Sequence, residues 1–377
     1  MRQTRPDGTD PVQALEAATE SGPGLVSRMT NALMASRPGR ALGGLLLVCA
    51  IGALAAGCGP YRENTFAPTS DYAQDIANLF IFIIAMCAIV FVVVEGLLIG
   101  TAIRFRGKPG DPRPRPIHGN TNLEIVWTIL PVIILIIIGV PTVGLIFKYQ
   151  ADAPPGSMPI TAVGHQWWFE FRYPDQNFVT ANEAHIPAGR PVRVELESAD
   201  VIHSWWPPNL AGKRDMIPNH KNYVWFTGHH VGPDFGSCTE FCGESHAKMG
   251  FDIVTDTPAD FDTWVANQQK VPAPPTDARL RQGAKVFASA SCVACHTISG
   301  TTAQGKVGPN LTHVGSRLTI AGRSLENTPE TMKLWIRNPA ATKPGEGQAS
   351  NTMPATPESV MSDADLGALV SYLQSLK

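Results

Sequence analysis

The sequence has no excess of positive charge. Its 377 residues carry 30 lysines and arginines against 32 aspartates and glutamates, a formal net charge of −2. A nucleic-acid-binding protein would show a strongly basic balance instead, so no nucleic-acid partner is predicted. A chain of this length has room for roughly two or three domains.

An even set of cysteines is also absent. The sequence has seven, and an odd number argues against a framework built only of disulfides. Four of them form two close pairs, each followed by a histidine: Cys238 with Cys242, and Cys292 with Cys295. This pattern indicates metal or haem rather than structural cross-links.

The first apolar run covers residues 42–56 and follows several arginines. A basic region, a short apolar core and small residues are typical of a secretory signal. The small residues before Cys58 resemble a bacterial lipobox, which predicts that Cys58 is the lipid-bearing first residue of the mature protein. Ala55 stands where a leucine is usual, and an uncleaved signal anchor is the alternative. Residues 1–57 are thus predicted to be an N-terminal extension and signal segment.

Two longer apolar runs, at about 76–103 and 124–147, predict a transmembrane hairpin within residues 58–150. Each run reaches the ~20 apolar residues that a membrane-crossing helix needs. Basic residues fill the loop between them, and such loops stay in the cytoplasm. The chain is therefore predicted to cross a bacterial plasma membrane more than once, with everything after residue 147 on the extracytoplasmic side.

Residues 151–266 alternate short apolar and aromatic runs with Gly, Pro and Asn. Several strands at such spacing predict a β-sandwich or barrel. The loop from Cys238 to Met249 offers two thiolates, an imidazole and a thioether, and His203 is available from an earlier strand end. Sulfur combined with imidazole is a donor set that suits copper.

The two thiols of this loop leave several alternatives open. A single electron-transfer copper needs one cysteine, whereas Cys238 and Cys242 could together bridge two coppers, each completed by one histidine. The weak ligands would then be Met249 and the main-chain carbonyl of Glu240. A disulfide between the two cysteines, or zinc held by two cysteines and a histidine, are the competing interpretations.

Three motifs resemble subunit II of the cytochrome c oxidases, the subunit that carries the dinuclear copper centre CuA. They are Gly164-His-Gln-Trp, His203-Ser-Trp-Trp-Pro and the loop from Cys238 to Met249. The resemblance implies a cupredoxin-like Greek-key β-barrel. It also implies a set of six copper ligands: His203, Cys238, Glu240, Cys242, His246 and Met249.

The same resemblance implies three further roles. The Glu240 side chain would face a magnesium ion at the boundary with subunit I. Trp167 would be the residue through which electrons enter, although the run is Trp-Trp-Phe here where the family has Trp-Tyr-Trp. Glu124 precedes a Trp-Thr-x-x-Pro motif, which in the family lies near the mouth of a proton channel, so proton uptake is implied. By physics alone, an acid at a helix N-terminus needs no function.

The last part of the chain begins with a proline-rich linker, residues 267–277. Such a stretch favours an extended, semi-rigid backbone, so the linker is predicted to keep the next domain within reach without fixing its pose. In the final domain, 278–377, apolar residues at helical spacing predict helices over 277–288 and 362–376.

Cys292-Val-Ala-Cys295-His296 is the attachment signal of c-type haem. Both thiols would form thioethers and the histidine would be an axial ligand; a redox Cys-x-x-Cys pair is the alternative. Met353, which precedes a proline, is the predicted second axial ligand, and a methionine opposite histidine raises the haem potential. The segment resembles a class I cytochrome c, which implies an all-α domain. The competing methionines are Met332 and Met361.

Together these features resemble a caa-type haem–copper oxidase, in which subunit II carries a fused cytochrome c domain. The resemblance implies a multi-domain membrane protein of the respiratory chain. Electrons from a cytochrome c or a cytochrome bc complex would pass through haem c and CuA to the oxygen-reducing site of subunit I, coupled to proton translocation. Subunit III is a further expected partner. The chain itself lacks the many histidine-bearing helices that an oxygen-reducing centre requires.

Three other functions compete with this interpretation. A CuA-containing nitric oxide reductase would use the same copper loop. A copper-handling or redox-sensing lipoprotein predicts labile copper and no haem. A quinol oxidase subunit II is disfavoured, because such relatives have lost the copper ligands that remain here.

Overall fold

The computed structural model describes residues 63–107, 119–346 and 352–377, with the single residues 52, 110, 112 and 116. Cys58 and, apart from Gly52, the predicted signal segment lie outside the described residues. The chain divides into two compact units, Met1–Tyr61 and Arg62–Lys377. Every element that follows belongs to the second unit.

Two long helices open the described chain, α1 (Asp71–Arg104) and α2 (Thr121–Gln150). Both are long and apolar enough to cross a membrane, by length and composition. Each begins earlier than its apolar run because a polar residue caps it. The Ser70 hydroxyl accepts from the Ala73 amide at 3.0 Å, and the Asn120 side chain accepts from the Leu123 amide at 3.2 Å.

Polar contacts join the far ends of this hairpin to the next domain. Asp75 of α1 accepts from the Lys148 ammonium at 2.5 Å and from the Tyr149 hydroxyl at 2.6 Å, both on α2. Asp71 accepts from the Thr227 amide of the β-domain at 2.8 Å. The Trp225 indole of the β-domain also donates to the Ala151 carbonyl, directly after α2, at 2.9 Å. The β-domain therefore contacts the hairpin at the start of α1 and the end of α2, opposite the loop that joins the two helices.

The β-domain consists of ten strands in two five-stranded sheets. One sheet has the order β3-β2-β1-β5-β8 and the other β4-β10-β9-β6-β7. A helix, α3 (Pro258–Gln268), closes the domain. The strands are β1 (Met158–His165), β2 (Trp168–Tyr173), β3 (Phe178–Ala181), β4 (Glu183–Pro187), β5 (Pro191–Ser198), β6 (His203–Trp206), β7 (Arg214–Met216), β8 (Asn222–Thr227), β9 (Gly232–Cys238) and β10 (Gly250–Asp256).

Large aromatic side chains fill the space between the sheets. Phe169, Trp205 and Phe251 are almost fully buried, and the rings of Phe169 and Phe251 meet edge to face at 4.7 Å. Gly236 of β9 makes room for them, because a Cβ there would lie 2.2 Å from the Phe251 ring. This core fixes β9 and β10, the strands that flank the predicted copper loop.

Within its described residues, 278–346 and 352–377, the last domain has five α-helices and one short hairpin. The helices α4 and α8 begin within one residue of the predicted ones and cross closely: a Cβ on Gly283 of α4 would lie 2.1 Å from the Ala368 carbonyl oxygen of α8. The hairpin was not predicted for this all-α domain. The elements are α4 (Ala278–Ser289), α5 (Cys292–Cys295), β11 (Thr319–Ile320), β12 (Leu325–Glu326), α6 (Pro329–Arg337), α7 (Pro339–Thr342) and α8 (Asp363–Ser375).

Candidate copper and haem centres

The predicted copper loop is folded back on itself by the strands that carry it. Cys238 ends β9, and Met249 directly precedes β10. These two strands pair antiparallel, and the Cys238 amide donates to the Met249 carbonyl at 2.9 Å. His203 opens β6, which pairs with β9 through Trp205 and Cys238. Thus sheet pairing brings an earlier histidine to the loop.

Five of the six predicted ligand side chains converge. The Cys238 sulfur lies 3.8 Å from the Cys242 sulfur and 3.9 Å from Nδ1 of His203. The Cys242 sulfur lies 3.6 Å from Nδ1 of His246 and 3.8 Å from the Met249 sulfur. A disulfide requires about 2.05 Å, so the two cysteines are not bonded to each other.

Glu240 contributes two different groups at this place. Its main-chain carbonyl faces the Cys238 sulfur at 3.3 Å. Its side chain turns outward, where a carboxylate oxygen lies 3.9 Å from the Lys213 ammonium. The carbonyl is thus positioned with the sulfur cluster and the carboxylate is directed away from it.

The donor set fits copper better than zinc. Structural zinc takes four ligands in a tetrahedron, whereas two thiols, two imidazoles, a thioether and a carbonyl converge here. Thioether and thiolate with imidazole are the donors of electron-transfer copper sites. The hydrogen bond between the thiols lowers the pKa of Cys238 and raises that of Cys242, so one of the two sulfurs readily becomes a thiolate.

A neighbouring carboxylate orients His203. The imidazole is fully buried, its Nε2 lies 2.7 Å from Oδ1 of Asp200, and its Nδ1 faces the cysteines. Burial would raise the pKa of Asp200, but hydrogen bonds from His203 and the Gln166 amide hold it below its usual range. Gly164 leaves room for the ring, because a Cβ there would lie 2.7 Å from it. The Asp-x-x-His spacing was the only sequence signal for Asp200.

The haem motif lies in the wall of a cavity of about 310 Å³. Cys292 and Cys295 bound the short helix α5, and Nδ1 of His296 lies 2.8 Å from the Pro309 carbonyl oxygen. Gly308 allows this packing, because a Cβ there would be 2.6 Å from the imidazole. A hydrogen-bonded Nδ1 leaves Nε2 of the histidine available for an axial bond.

Two of the three candidate methionines line this cavity, Met353 and Met332. The Met332 sulfur is contacted by the Gln374 amide at 3.8 Å, inside the domain core. Met361 is also buried in that core but does not belong to the cavity wall as the structure describes it. Met353 is therefore the methionine that the geometry favours as the second haem ligand.

The same cavity is also lined by the β-domain. Gln166, Trp168 and Asn182 of that domain form part of the wall with the haem motif. Trp167, between the first two, is buried, and its indole nitrogen donates to the Cys242 carbonyl at 3.1 Å. Its own carbonyl accepts from the ammonium of Lys343, in the last domain. Trp167 is thus in contact with the copper loop and with the last domain.

A second set of contacts holds the last domain against the β-domain, which differs from the expected tether with an unfixed pose. The Arg323 guanidinium lies 3.1 Å from a carboxylate oxygen of Asp252 and 3.1 Å from one of Glu63. The Thr319 hydroxyl donates to Asp252 at 2.8 Å, and the Gly250 amide donates to the Gly322 carbonyl at 2.9 Å. Burial raises the pKa of Asp252 to about 6.

These contacts come from the hairpin that the sequence did not predict. Its turn places three successive residues in the left-handed region: Ala321, Gly322 and Arg323, at φ of 55°, 61° and 64°. Two of them are not glycine, and left-handed backbone costs such residues roughly 1–2 kcal/mol each. The interface contacts of Arg323 and Gly322 offset this cost.

The net charges of the two domains are of opposite sign. Residues 151–266 contain 15 acidic and 7 basic residues, whereas residues 278–377 contain 10 basic and 6 acidic ones. Opposite charges favour docking and suppress other arrangements. Neither Lys343 nor Arg323 could be recognised as an interface residue from the sequence, since no local pattern marks them.

Glu124 is far from both centres. It lies in the first turn of α2 and is exposed. The 30 residues of α2 correspond to about 45 Å at 1.5 Å per residue, and the β-domain rests on the other end. A role of Glu124 would therefore concern the opposite side of the membrane hairpin.

A membrane hairpin, a β-domain with a copper-type donor set and a domain with a haem attachment motif define a class: membrane-anchored electron-transfer proteins. Family models agree with each part. Residues 63–145 match the transmembrane domain of cytochrome c oxidase subunit II, residues 177–256 its periplasmic domain, and residues 280–377 cytochrome c.

Curated relatives extend over most of the chain. Cytochrome c oxidase subunit 2 of Alkalihalophilus pseudofirmus is 38% identical over 84% of this chain and 92% of its own. That of Bacillus sp. (strain PS3) is 33% identical over 86% and 94%. A solved periplasmic domain of the same subunit, from Bradyrhizobium japonicum, is 30% identical and covers 31% of this chain and 97% of its own, with a TM-score of 0.31.

The chain therefore belongs to the cytochrome c oxidase subunit 2 family, in a form with a C-terminal cytochrome c domain. It is a subunit of a terminal oxidase, an oxidoreductase, with a role in electron transfer. The predicted fold class, a two-helix hairpin followed by a cupredoxin-like domain and a cytochrome c domain, is confirmed.

Proposed function

We propose that this chain takes electrons from an external donor into a covalently held haem c and delivers them, by way of a dinuclear copper centre, to subunit I. Oxygen reduction and the coupled proton translocation would take place in that separate haem–copper subunit. The observation that carries the proposal is the contact of Trp167 with both the copper loop and the cytochrome domain. Copper and haem, when bound, supply one-electron redox couples.

The two clusters of side chains indicate which residues would hold the copper pair and which would hold the haem. Cys238 and Cys242 would bridge the copper pair, since their sulfurs are adjacent and each has its own histidine. Met249 and the Glu240 carbonyl would be the weak ligands. Asp200 holds the His203 ring with Nδ1 toward the sulfurs, so the histidine is oriented before any metal binds.

The haem would be joined through thioethers to Cys292 and Cys295, with His296 and Met353 as axial ligands. The hydrogen bond between His296 Nδ1 and the Pro309 carbonyl fixes the ring. The cavity is lined on one side by the core of the cytochrome domain and on the other by Trp168 of the copper domain.

Two acidic residues are proposed to act at the boundary with subunit I. The outward carboxylate of Glu240 is available for a magnesium ion shared with that subunit. Glu124, exposed at the loop end of the membrane hairpin, is proposed to assist proton uptake. Subunit III and a cytochrome c or cytochrome bc donor are the other proposed partners.

The proposed location is a bacterial plasma membrane, with both cofactor domains on the extracytoplasmic side. The two membrane-capable helices and the match to a periplasmic domain support this orientation. A lipid anchor on Cys58 is proposed from the sequence alone.

The test is a metal count and a paramagnetic resonance spectrum of the purified full-length oxidase. We expect two coppers in addition to the copper of the haem–copper subunit, and a mixed-valence dinuclear signal, together with an optical band of covalent haem c. Cys242→Ser should abolish the dinuclear signal. Cys87→Ser, in the membrane helix α1, is the matched control and should leave it intact. A single copper beyond that of the haem–copper subunit in the wild type, or a dinuclear signal that survives in Cys242→Ser, would contradict the bridging assignment.

A further inference from the structure

Lys343, the residue through which the cytochrome domain contacts Trp167, is a buried lysine to which the function proposed above assigns no role of its own. Its exposed fraction is 2%, and lysine is almost never fully buried unless it is paired. The ammonium donates to the main-chain carbonyl of Trp167, 176 positions earlier in the chain. The burial of this charge between the cytochrome domain and the copper domain therefore calls for an explanation.

The groups that contact Lys343 are themselves in contact with a predicted haem ligand on one side and a predicted copper ligand on the other. Its ammonium lies 3.9 Å from Oε1 of Glu346, and Oε2 of Glu346 accepts from the Met353 amide at 2.7 Å. On the other side, the Trp167 indole donates to the Cys242 carbonyl at 3.1 Å. A continuous line of polar contacts thus runs from the predicted haem ligand to the predicted copper ligand.

The backbone around Lys343 is fitted to the same place. Gly345, at φ of 88°, packs so closely that a Cβ there would lie 2.7 Å from the Trp167 ring. The Ser245 hydroxyl, in the copper loop, donates to the Pro344 carbonyl. Segment 343–346 therefore contacts both Trp167 and the copper loop, and these contacts are separate from those of Arg323.

We propose that Lys343 is a positioning residue for electron transfer between the two centres, because it fixes Trp167 to the segment that holds the haem ligand. The inference rests on the proposed function, in which electrons pass from haem to copper. Arg323 and its partners dock the domain as a whole from the hairpin side. Lys343 sets the contact at the point where the two centres approach each other.

The test is Lys343→Met in the full-length oxidase, a substitution that keeps an unbranched apolar stem and removes the ammonium donor. Lys333→Met, an exposed lysine of the same domain, is the matched control. The rate of electron transfer from haem to copper is followed after rapid photoreduction of the haem. We expect it to fall at least about tenfold in Lys343→Met, since loss of one partner of a buried charge pair is strongly disruptive.

The haem potential separates positioning from a purely electrostatic role. Removal of a positive charge beside the cavity favours the oxidised haem, so the potential should fall in Lys343→Met and the haem should become a stronger reductant. The copper potential is measured as well, because the Lys343 charge also acts on Cys242. An electrostatic role alone would change the transfer rate only as far as the difference between the two potentials changes. Transfer that is slower than the measured difference between the two potentials accounts for is the signature of lost positioning.

Hydrogen–deuterium exchange supplies a readout that does not depend on activity. Segments 165–169 and 343–346 should lose protection in Lys343→Met, whereas the hairpin, 318–326, should keep it. Loss of protection across the hairpin would overturn the inference, because Lys343 would then be a docking residue. A wild-type rate in Lys343→Met would overturn it as well.

The outcomes separate this inference from the proposed function. If the wild type shows no transfer from haem to copper, the proposed function fails. If the wild type transfers electrons and Lys343→Met transfers them equally fast, only the role of Lys343 fails. Should Lys343→Met not assemble, Gly345→Ala tests the same contact, because its methyl group would push the segment away from Trp167. It should also slow the transfer, and a wild-type rate there would refute the inference.

Discussion

Asp200 should determine how tightly the copper centre holds its metal, although it is not one of the predicted ligands. Oδ1 of Asp200 lies 2.7 Å from Nε2 of His203, and Oδ2 accepts from the Gln166 amide at 2.8 Å. Asp200→Asn keeps one acceptor oxygen, so one of these contacts survives; Asp200→Ala loses both. Partners that orient a metal-bound histidine are worth about 10–100-fold in metal affinity.

We therefore expect about tenfold weaker copper binding in Asp200→Asn and closer to 100-fold in Asp200→Ala, or about 1.4 and 2.8 kcal/mol. Competition with a copper chelator, followed through the dinuclear resonance signal, measures both values. Asp175→Asn, an exposed acid of the same domain, controls for the change in net charge. If Asp200→Ala binds copper as tightly as the control, the orienting role of Asp200 is wrong.

Three further outcomes follow from other contacts. Met353→Ala should leave haem attached but lower its potential and change its optical spectrum, because the thioethers remain while an axial ligand is lost; an unchanged spectrum would indicate a different axial ligand. Gly283→Ala should destabilise the cytochrome domain by about 1–3 kcal/mol in thermal unfolding, since its methyl group would lie 2.1 Å from the Ala368 carbonyl oxygen; an unchanged melting temperature would refute the close crossing. Burial alone would lower the pKa of His185, but hydrogen bonds to the carboxylates of Asp256 and Glu183 outweigh the effect of burial and raise the pKa above 6.5. The stabilisation that protonated His185 gives the folded domain is complete below about pH 6.5 and is lost as the pH rises through the raised pKa. The melting temperature of the copper domain should therefore fall over that pH range in the wild type, and it should fall less in His185→Gln.

The helices could be predicted from the sequence, and the candidate copper ligands could be selected, because their signals are local. The run at 76–103 became α1 (Asp71–Arg104), longer at its start because Ser70 caps it in a polar stretch that hydropathy does not detect. The ligand loop places four ligand side chains within twelve positions. His203 was a candidate from its place at the end of a predicted strand, and the resemblance to a family motif made it a predicted ligand. The structure shows sheet pairing as the physical reason for its place.

The contacts between domains could not be predicted, because they join residues far apart in the chain. The Lys343 contact spans 176 positions, and that of Arg323 with Glu63 spans 260. Lysine and arginine in a polar sequence indicate solvent exposure unless the partner surface is known. The hairpin was missed for a related reason: its strands have two residues each, too few for an alternating pattern.

The linker and the interface contribute differently to docking: the linker keeps the two domains close together, and the interface sets their orientation. The predicted linker extends to about 3.1 Å per residue, so its few residues keep the cytochrome domain at an effective concentration of roughly millimolar near the copper domain. At that concentration an interface with a dissociation constant of about 0.1 mM would already be occupied in roughly nine of ten molecules. A few buried polar contacts, such as those of Arg323 and Lys343, are then sufficient to select one pose. Because the linker supplies proximity, these residues are free to supply orientation, and orientation is what determines whether the two centres meet at Trp167.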